Sequence, residues 1–118
     1  MKKCVMVCDD DEGILDSISI VLDLHGYKVI PVLHSLEIFA KIKEEKPDIV
    51  LLDLWMPILN GEQVLQKLKA SDETKDIPVI VVTASKDGKA IADKYGASAY
   101  LPKPFDLIKL DALIAKNT

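Results

Sequence analysis

The sequence predicts an α/β domain in which five parallel strands alternate with five helices. Short apolar runs alternate along the 118 residues with segments whose apolar positions recur every three or four residues. Two of the runs are apolar throughout, as in strands that are covered on both faces of a sheet. No linker, repeat or low-complexity stretch interrupts this pattern. We therefore expect a parallel sheet with right-handed crossover helices on both faces.

The first half of the chain supplies three strands and two helices. The predicted strands are CVMVC, YKVIPV and DIVLLD, over residues 4–8, 27–32 and 48–53. Pro31 places the second strand at an edge of the sheet, because proline cannot donate to a strand ladder. The helical faces comprise Ile14, Ile18, Val21 and Leu22 in the first helix, and Leu36, Phe39, Ala40 and Ile42 in the second. Pro47 ends the second helix.

The second half continues the alternation with two strands and three helices. The predicted strands are IPVIVVT and SAYL, over residues 77–83 and 98–101. Asn60 and Gly61 form a turn signal before the third helix, and Gly96 is suited to end the fourth. The apolar helix positions are Val64, Leu65 and Leu68, then Ala90, Ile91 and Tyr95, then Leu107, Leu110, Leu113 and Ile114.

Composition and charge narrow the functional classes. Hydrophobic residues make up 49% of the chain and charged residues 29%, which is typical of a globular domain. The net charge is −4 and all 15 basic residues are lysines, so direct binding of nucleic acid is not expected. No apolar run is long enough for a signal peptide or a membrane span. We expect one cytoplasmic domain without a membrane contact, and the sequence leaves open whether it stands alone or begins a longer protein.

Polar residues follow the predicted strands where each strand ends. An acidic run, Asp9–Asp11, follows the first strand, and Asp53 ends the third. Thr83 ends the fourth strand, and Lys103 follows the fifth. Because the carboxyl ends of parallel strands meet at one edge of a sheet, these side chains are expected to lie close together.

Each of these residues also has an ordinary structural explanation. The acidic run could cap the first helix and favour its dipole. Asp53 could begin a turn, Thr83 could be a plain strand residue, and Lys103 could be solvated. Several carboxylates at one edge are harder to explain in this way, because they repel one another unless a cation or a raised pKa relieves them.

A magnesium ion and a phosphoryl group would fit this set of residues. Carboxylate oxygens suit Mg²⁺, which usually takes one or two of them together with waters. With Mg²⁺ on Asp10 and Asp53, one Asp53 oxygen would remain free to attack a phosphoryl group and form an acyl phosphate. Lys103 would hold a second phosphoryl oxygen, and the Thr83 hydroxyl or a nearby backbone N–H would hold a third.

Four segments together resemble the receiver domain of bacterial response regulators. They are VCDDDEGIL, IVLLDLWMPILNGEQVL, IPVIVVTAS and GASAYLPKPF, in this order and at the spacing of that family. The resemblance covers the whole chain. It implies one flavodoxin-like (βα)₅ receiver domain over residues 1–118, with strand order 2-1-3-4-5. It also implies a regulatory phosphoacceptor, not a conventional enzyme, that catalyses its own phosphorylation and dephosphorylation.

The resemblance assigns four residues to the phosphoacceptor and the metal. Asp53 matches the phosphoacceptor and is also a metal ligand. Asp10 matches a direct Mg²⁺ ligand, whereas Asp9 matches a residue that acts through water. Trp55 stands where the family gives a backbone carbonyl to the metal, so its side chain is not the ligand.

Three further residues match the switching machinery of the family. Thr83 matches the hydroxyl that moves toward the phosphoryl group, and Lys103 matches the lysine that pairs with it. Tyr100 matches an aromatic side chain that changes rotamer on activation. The peptide bond between Lys103 and Pro104 is expected to be cis. The implied output is a repacking of the surface formed by the fourth helix, fifth strand and fifth helix.

The implied partners are proteins. A sensor histidine kinase or a phosphotransfer protein would donate the phosphoryl group from a phosphohistidine, and an effector protein or output domain would read the switched surface. Homodimerisation on phosphorylation is a further expectation that the sequence leaves open.

Two residues near the phosphoacceptor suggest control of water access. Trp55 is bulkier than the methionine or asparagine often found at this position in the family, and Ser85 is small and polar. We hypothesise that Trp55 shields the acyl phosphate and so changes its lifetime, with Ser85 as the second gating residue. The alternative is that the tryptophan only covers an apolar patch.

Three other functions share parts of this pattern. A flavodoxin-like cofactor binder would need a phosphate loop after the first strand, but DDDEG repels phosphate unless a metal intervenes. A Mg²⁺-dependent phosphohydrolase would need a cap or substrate pocket, for which the short connections leave little room. A degenerate receiver that serves only as a binding module would lack Asp53 or Lys103, and both are present.

Overall fold

A computed structural model of the chain describes residues 2–118 and contains one five-stranded parallel sheet. The strand order is β2-β1-β3-β4-β5, with every neighbouring pair parallel. The strands are β1 (Cys4–Cys8), β2 (Lys28–Val32), β3 (Ile49–Leu52), β4 (Val79–Thr83) and β5 (Ala99–Pro102). The predicted α/β class and the flavodoxin-like strand order are confirmed.

Five α-helices connect and follow the strands. They are α1 (Glu12–Leu24), α2 (Ile38–Glu45), α3 (Gly61–Ala70), α4 (Gly88–Tyr95) and α5 (Leu107–Asn117). Glycine ends α4 as predicted, since Gly96 adopts a left-handed conformation at φ 77° and donates its N–H to Ala92. A single turn of 3₁₀ helix, Ser35–Glu37, precedes α2.

Several element boundaries differ by one or two residues from the sequence-based expectation. The second helix was expected from Leu36, but that residue lies in the 3₁₀ turn and α2 begins at Ile38. The third strand ends at Leu52, so Asp53 stands one residue beyond it. The fourth strand begins at Val79, because Pro78 has no N–H and contributes only its carbonyl, which accepts from Val50 at 3.0 Å.

The sheet separates two hydrophobic cores. Successive residues of β1, β3 and β4 point alternately to the two faces and are all buried. One core, which includes buried residues of α2, α3 and α4, contains the strand residues Met6, Cys8, Val50, Leu52, Val79 and Val81. The other, with buried residues of α1 and α5, contains Val5, Val7, Ile49, Leu51, Ile80 and Val82.

The outer strands are less buried than the central ones. Pro31 lies in β2, at one edge of the sheet, as predicted. In β5, Ala99 and Tyr100 are half-buried, whereas every residue of the adjacent β4 is buried. Within residues 2–118, no helix has the length and apolar character that crossing a membrane requires.

Candidate functional site

Backbone hydrogen bonds extend the sheet by one row and place three charged residues side by side. The N–H of Asp9 donates to Val32 at 3.2 Å, and the N–H of Asp53 donates to Cys8 at 3.0 Å. The N–H of Lys103 donates to Thr83 at 3.0 Å. Each of these residues is therefore fixed by a neighbouring strand, so its side chain leaves the sheet at the same edge.

Lys103 forms ion pairs with two carboxylates that are largely removed from water. Its Nζ lies 2.6 Å from Asp9 Oδ2 and 3.3 Å from Asp53 Oδ2. Asp9 and Asp53 are only 3% and 5% exposed. Burial of two such carboxylates is costly unless a cation compensates their negative charge. Within residues 2–118, the Lys103 ammonium group provides this compensation.

The pKa values of these groups follow from their surroundings. Burial raises the pKa of the Asp53 carboxyl, and the charge of Asp9 adds to this, whereas the Trp55 N–H and Lys103 act in the opposite direction. Burial by itself would lower the pKa of the Lys103 ammonium, but its hydrogen bonds and its charge interactions with Asp9 and Asp53 raise the pKa overall. The lysine therefore remains charged at neutral pH, while the ionised Asp53 is destabilised.

A third carboxylate completes a group suited to a divalent cation. Asp9, Asp10 and Asp53 each offer an oxygen, and these oxygens lie within 4.8 Å of one another. The donor set is made of hard oxygen atoms, which fits Mg²⁺ better than metals that prefer sulfur or nitrogen. No backbone N–H of residues 2–118 donates to the Trp55 carbonyl, so that oxygen remains available as a further ligand.

Asp11 has a different role from its acidic neighbours. Its Oδ1 accepts from the N–H of Ile14 at 3.1 Å and caps α1. The capping explanation considered for the acidic run therefore holds for Asp11, while Asp9 and Asp10 belong to the carboxylate group. Asp9 also accepts from the Asp11 N–H at 2.9 Å, which orients the first carboxylate.

The carboxylates line a small opening of about 290 Å³. Five predicted site residues line it: Asp9, Asp10, Asp53, Trp55 and Lys103. Asp11, Ile14 and Ala84 complete the lining. Sequence reasoning did not select Ile14 or Ala84 as site residues. Ala84 directly follows Thr83, so its position after a strand end was a signal that could have identified it.

The remaining predicted residues do not line this opening. Thr83 is fully buried, and its Oγ1 accepts from the Ser85 N–H at 3.2 Å. Thr83 and Tyr100 both approach Gly88, where an added Cβ would stand 2.6 Å from Thr83 Cγ2 and 2.6 Å from Tyr100 Cε1. The peptide bond between Lys103 and Pro104 is cis, as the resemblance implied.

The connection from β3 to α3 brings the Asp53 backbone into close packing. The N–H of Gly61 donates to the Leu54 carbonyl at 3.0 Å. A Cβ at Gly61 would stand 2.2 Å from the Asp53 carbonyl oxygen and 2.5 Å from Leu54 Cα. Only glycine fits at this point, so the turn signal read from Asn60 and Gly61 also reflects a packing requirement of the site.

Comparison with known proteins places this geometry in a family. The family model for the response regulator receiver domain matches residues 5–115. Protein PilH of Pseudomonas aeruginosa is 36% identical over 104 residues, which cover 86% of each chain. The phosphate regulon transcriptional regulatory protein PhoB of the same species is 33% identical over 105 residues, or 87% of this chain and 46% of that protein.

A solved structure agrees with both the fold and the family. A CheY-like response regulator receiver domain protein from Methanospirillum hungatei is 30% identical, with a TM-score of 0.90 over 98% of this chain and 93% of that one. The chain spans about half the length of several curated transcriptional regulators that it matches, with 46% to 47% of their length covered.

Proposed function

This chain belongs to the response regulator receiver domain family of two-component systems, and from that premise we propose that Asp53 accepts a phosphoryl group from a partner's phosphohistidine in a Mg²⁺-dependent reaction. The receiver unit is proposed to extend over residues 1–118 and to act in the cytoplasm. Its role is regulatory, and the proposed chemistry modifies the chain itself.

One observation carries this proposal. A single ammonium group, Lys103 Nζ, lies 2.6 Å from Asp9 and 3.3 Å from Asp53, beside a third carboxylate from Asp10. The carboxylates at this edge of the sheet would repel the phosphate of a flavodoxin-type cofactor, which argues against a cofactor binder. A binding module without phosphotransfer would have no need of a buried carboxylate held against a lysine at the mouth of an opening.

The proposed transfer is an in-line displacement at phosphorus. An Asp53 oxygen forms the new P–O bond while the P–N bond of the phosphohistidine breaks, and its electron pair stays with the departing imidazole nitrogen. Asp53 Oδ1 already accepts from the Trp55 N–H at 3.2 Å, and this bond orients the carboxylate. Positioning and neutralisation of charge supply most of the rate enhancement in such transfers.

Asp10, Asp53 and the Trp55 carbonyl would hold the metal, with Asp9 contributing through water. Bound Mg²⁺ would neutralise charge on the carboxylates and on the transferring phosphoryl group. Lys103 would move from its present carboxylate partners to one phosphoryl oxygen. The Thr83 hydroxyl would reach another after a shift at the end of β4.

The same shift would carry the signal to the surface. When the Thr83 hydroxyl moves toward the phosphoryl group, the space it shares with Gly88 changes, and Tyr100 takes a different rotamer. Repacking of α4, β5 and α5 would then bias a two-state equilibrium. An effector protein or output domain would read this surface, and a second copy of the chain is a further candidate partner.

The surface beside the opening could accommodate the protein that donates the phosphoryl group. A cleft of about 730 Å³ shares Asp11, Ile14 and Lys103 with the opening and continues over Pro104 and Phe105. A sensor kinase or phosphotransfer protein must cover this region to bring its phosphohistidine to Asp53. Direct contact with nucleic acid or a membrane has no part in the proposal.

Incubation with acetyl phosphate and Mg²⁺, followed by intact mass measurement, tests the proposed function. The wild-type chain should gain one phosphoryl group, and this gain should disappear with Asp53→Asn or after chelation of the metal. Asp10→Asn should reduce the gain by weakening metal binding. No gain in the wild-type chain, or an undiminished gain in Asp53→Asn, would contradict the proposal.

A matched control separates the loss of charge from the loss of site chemistry. Asp106→Asn removes one carboxylate charge outside the opening and retains a side chain that can cap α5, where Asp106 accepts from the Ile108 N–H at 2.8 Å. It should accept phosphoryl within about twofold of the wild-type level, because Asp106 is not among the grouped carboxylates. A phosphohydrolase acting on small molecules would instead release phosphate in repeated turnover.

Trp55 and Ser85 are proposed to control the lifetime of the phosphorylated state. Trp55 lines the opening although the residue is 71% exposed, and Ser85, two residues after Thr83, is half-buried. Replacement Trp55→Ala should shorten the phosphoryl half-life by admitting water. An unchanged half-life would contradict this role and favour the alternative, in which Trp55 only covers an apolar patch.

A further inference from the structure

A buried hydroxyl outside the proposed site contacts the loop that carries the metal ligands. Ser35 is 4% exposed and lies in the 3₁₀ turn before α2, on a different connection from Asp53. Its Oγ donates to the Pro57 carbonyl at 2.9 Å and accepts from the Leu59 N–H at 3.3 Å. One hydroxyl therefore joins both ends of a three-residue segment in the β3–α3 connection.

That segment is a tight turn centred on Ile58. The Leu59 N–H also donates to the Pro57 carbonyl at 2.9 Å, which closes a γ-turn across Ile58. Ile58 has φ 72°, a conformation that glycine adopts readily but that is a genuine outlier for a β-branched residue. The turn therefore has at its centre a residue that adopts the required positive φ only at a cost in conformational energy.

Packing of the Ile58 side chain does not compensate for this strain. Ile58 is 83% exposed, so contacts of its side chain within residues 2–118 contribute little to holding it. The two hydrogen bonds to Ser35 connect the turn to the rest of the fold at this point. A strained conformation persists only where its surroundings determine it, and here they are the Ser35 hydroxyl together with the packing of Leu59 against the core.

The turn lies two residues from the proposed metal-binding carbonyl. Trp55 is followed by Met56, which is buried at 6% exposure, and then by Pro57. At the other end, Asp53 is fixed by the bond from its N–H to Cys8 at 3.0 Å. The short segment that carries Trp55 is thus held at both ends, by β1 on one side and by Ser35 on the other.

We propose that Ser35 is a positioning residue for the metal site, because it holds the strained Pro57–Ile58–Leu59 turn and thereby fixes the Trp55 carbonyl relative to Asp53. This role rests on the proposed function, which supplies the metal. Without the Ser35 hydroxyl the turn relaxes, and the carbonyl samples orientations that do not point to the metal. The affinity for Mg²⁺ then falls while the three carboxylates remain in place.

Titration of Mg²⁺ against tryptophan fluorescence tests this role directly. Trp55 is the only tryptophan of the chain and lines the opening, so its emission reports on metal binding without any phosphoryl transfer. Ser35→Ala should weaken Mg²⁺ binding about tenfold, the lower end of the effect expected for groups that orient metal ligands. An unchanged dissociation constant would overturn the proposal.

Relief of the strain provides a rescue that a general loss of stability would not show. Ile58→Gly removes the penalty of the left-handed conformation, so the turn can form with less help from Ser35. The double variant Ser35→Ala/Ile58→Gly should bind Mg²⁺ within about threefold of Ile58→Gly alone, whereas Ser35→Ala loses about tenfold in the wild-type background. Equal losses in both backgrounds would contradict the positioning mechanism.

Ser19→Ala is the matched control. The Ser19 hydroxyl also donates to a backbone carbonyl, that of Leu15 at 2.7 Å, but it lies in α1 and outside the metal-binding loop. Its removal should leave Mg²⁺ affinity within about twofold of the wild-type value. Equal weakening in Ser19→Ala and Ser35→Ala would show that loss of any such hydroxyl suffices, which would overturn the specific role of Ser35.

Hydrogen exchange at Leu59 separates failure of this inference from failure of the proposed function. In Mg²⁺-free protein, exchange of the Leu59 N–H should accelerate about tenfold in Ser35→Ala and remain unchanged in Ser19→Ala. If the wild-type chain bound no Mg²⁺, the metal-dependent function would be wrong, and the exchange data would still decide whether Ser35 holds the turn. Wild-type Mg²⁺ binding with unaltered Leu59 exchange in Ser35→Ala would overturn this inference alone.

Discussion

Helices α3 and α4 both begin with a buried glycine, but they are held in very different ways. Gly61 at the start of α3 packs against backbone atoms of Asp53 and Leu54, whereas Gly88 at the start of α4 packs against the side chains of Thr83 and Tyr100. Backbone in a central part of the fold cannot move without disturbing the sheet. Side chains can change rotamer, so the start of α4 has room to adjust.

The anchoring of the two helices reinforces this difference. Asn60 caps α3 in a reciprocal arrangement with Gln63, and the large side chains of Val64, Leu65 and Leu68 are fully buried. For α4, the described structure shows no capping bond from the Asp87 side chain, and the buried residues of the helix are Gly88 and Ala92. The carboxylate site is thus attached to the rigid helix, and the region proposed to switch contains the weakly anchored one.

The largest effect should come from truncating a buried side chain of the rigid helix. Leu65→Ala should lower the free energy of unfolding by about 3 kcal/mol, because it leaves a cavity in a fully packed core. Ala92→Gly in α4 should cost about 1 kcal/mol, mainly through helix propensity. Urea unfolding of both variants gives the comparison, and similar losses would mean that α4 is as firmly anchored as α3.

Substitution of the two helix-starting glycines should separate backbone packing from side-chain packing. Gly61→Ala should destabilise the protein by about 3 kcal/mol, since the new Cβ meets the Asp53 backbone. Gly88→Ala should cost about 1 kcal/mol, because Tyr100 can rotate away and the helix gains propensity. Thermal unfolding measures the stabilities, and NMR of the Tyr100 ring should show a new environment in Gly88→Ala; an unaltered ring would indicate that α4 itself had moved.

The cost of ionising Asp53 in the folded state should make the free energy of unfolding depend on pH. The raised pKa of Asp53 means that the folded state binds this proton more tightly than the unfolded state, so stability falls as pH rises from near 3.8 through the raised value. In Mg²⁺-free buffer near neutral pH, Asp53→Asn should therefore stabilise the fold by about 1 kcal/mol, because it removes a charge that is buried away from water and, to a lesser extent, its repulsion from Asp9. Urea unfolding across this pH window provides the measurement. If Asp53→Asn kept the pH dependence of the wild-type stability, Asp53 would be excluded as the source of that dependence.

The smallest difference between the two helices should come from their N-terminal caps. Asn60→Ala should cost about 1 kcal/mol, because it removes the cap from the N–H of Gln63. Asp87→Ala should change stability by less than about 0.5 kcal/mol, since its side chain does not cap α4. Parallel urea titrations test this difference, and equal costs would show that the cap of α3 adds nothing to its anchoring.

Local patterns in the sequence are enough to predict the alternation of elements and the residues at the carboxyl ends of the strands. Both depend on local periodicity and on the general rule that parallel strands share one edge. Asp9, Asp53 and Lys103 can be selected in this way because each stands directly at, or shortly after, a predicted strand end. The strand order was implied by resemblance to a family, because no local pattern specifies which strands become neighbours. The same resemblance is the source of the switch roles proposed for Thr83 and Tyr100.

The folded structure was needed to define how these residues contact their neighbours. It divided the acidic run into a cap at Asp11 and ligand candidates at Asp9 and Asp10, and it paired Lys103 more closely with Asp9 than with Asp53. It also joined Ser35 to a turn 22 residues away. Such contacts link residues that are distant in sequence and depend on distances of a few tenths of an ångström, which periodicity and residue type do not encode.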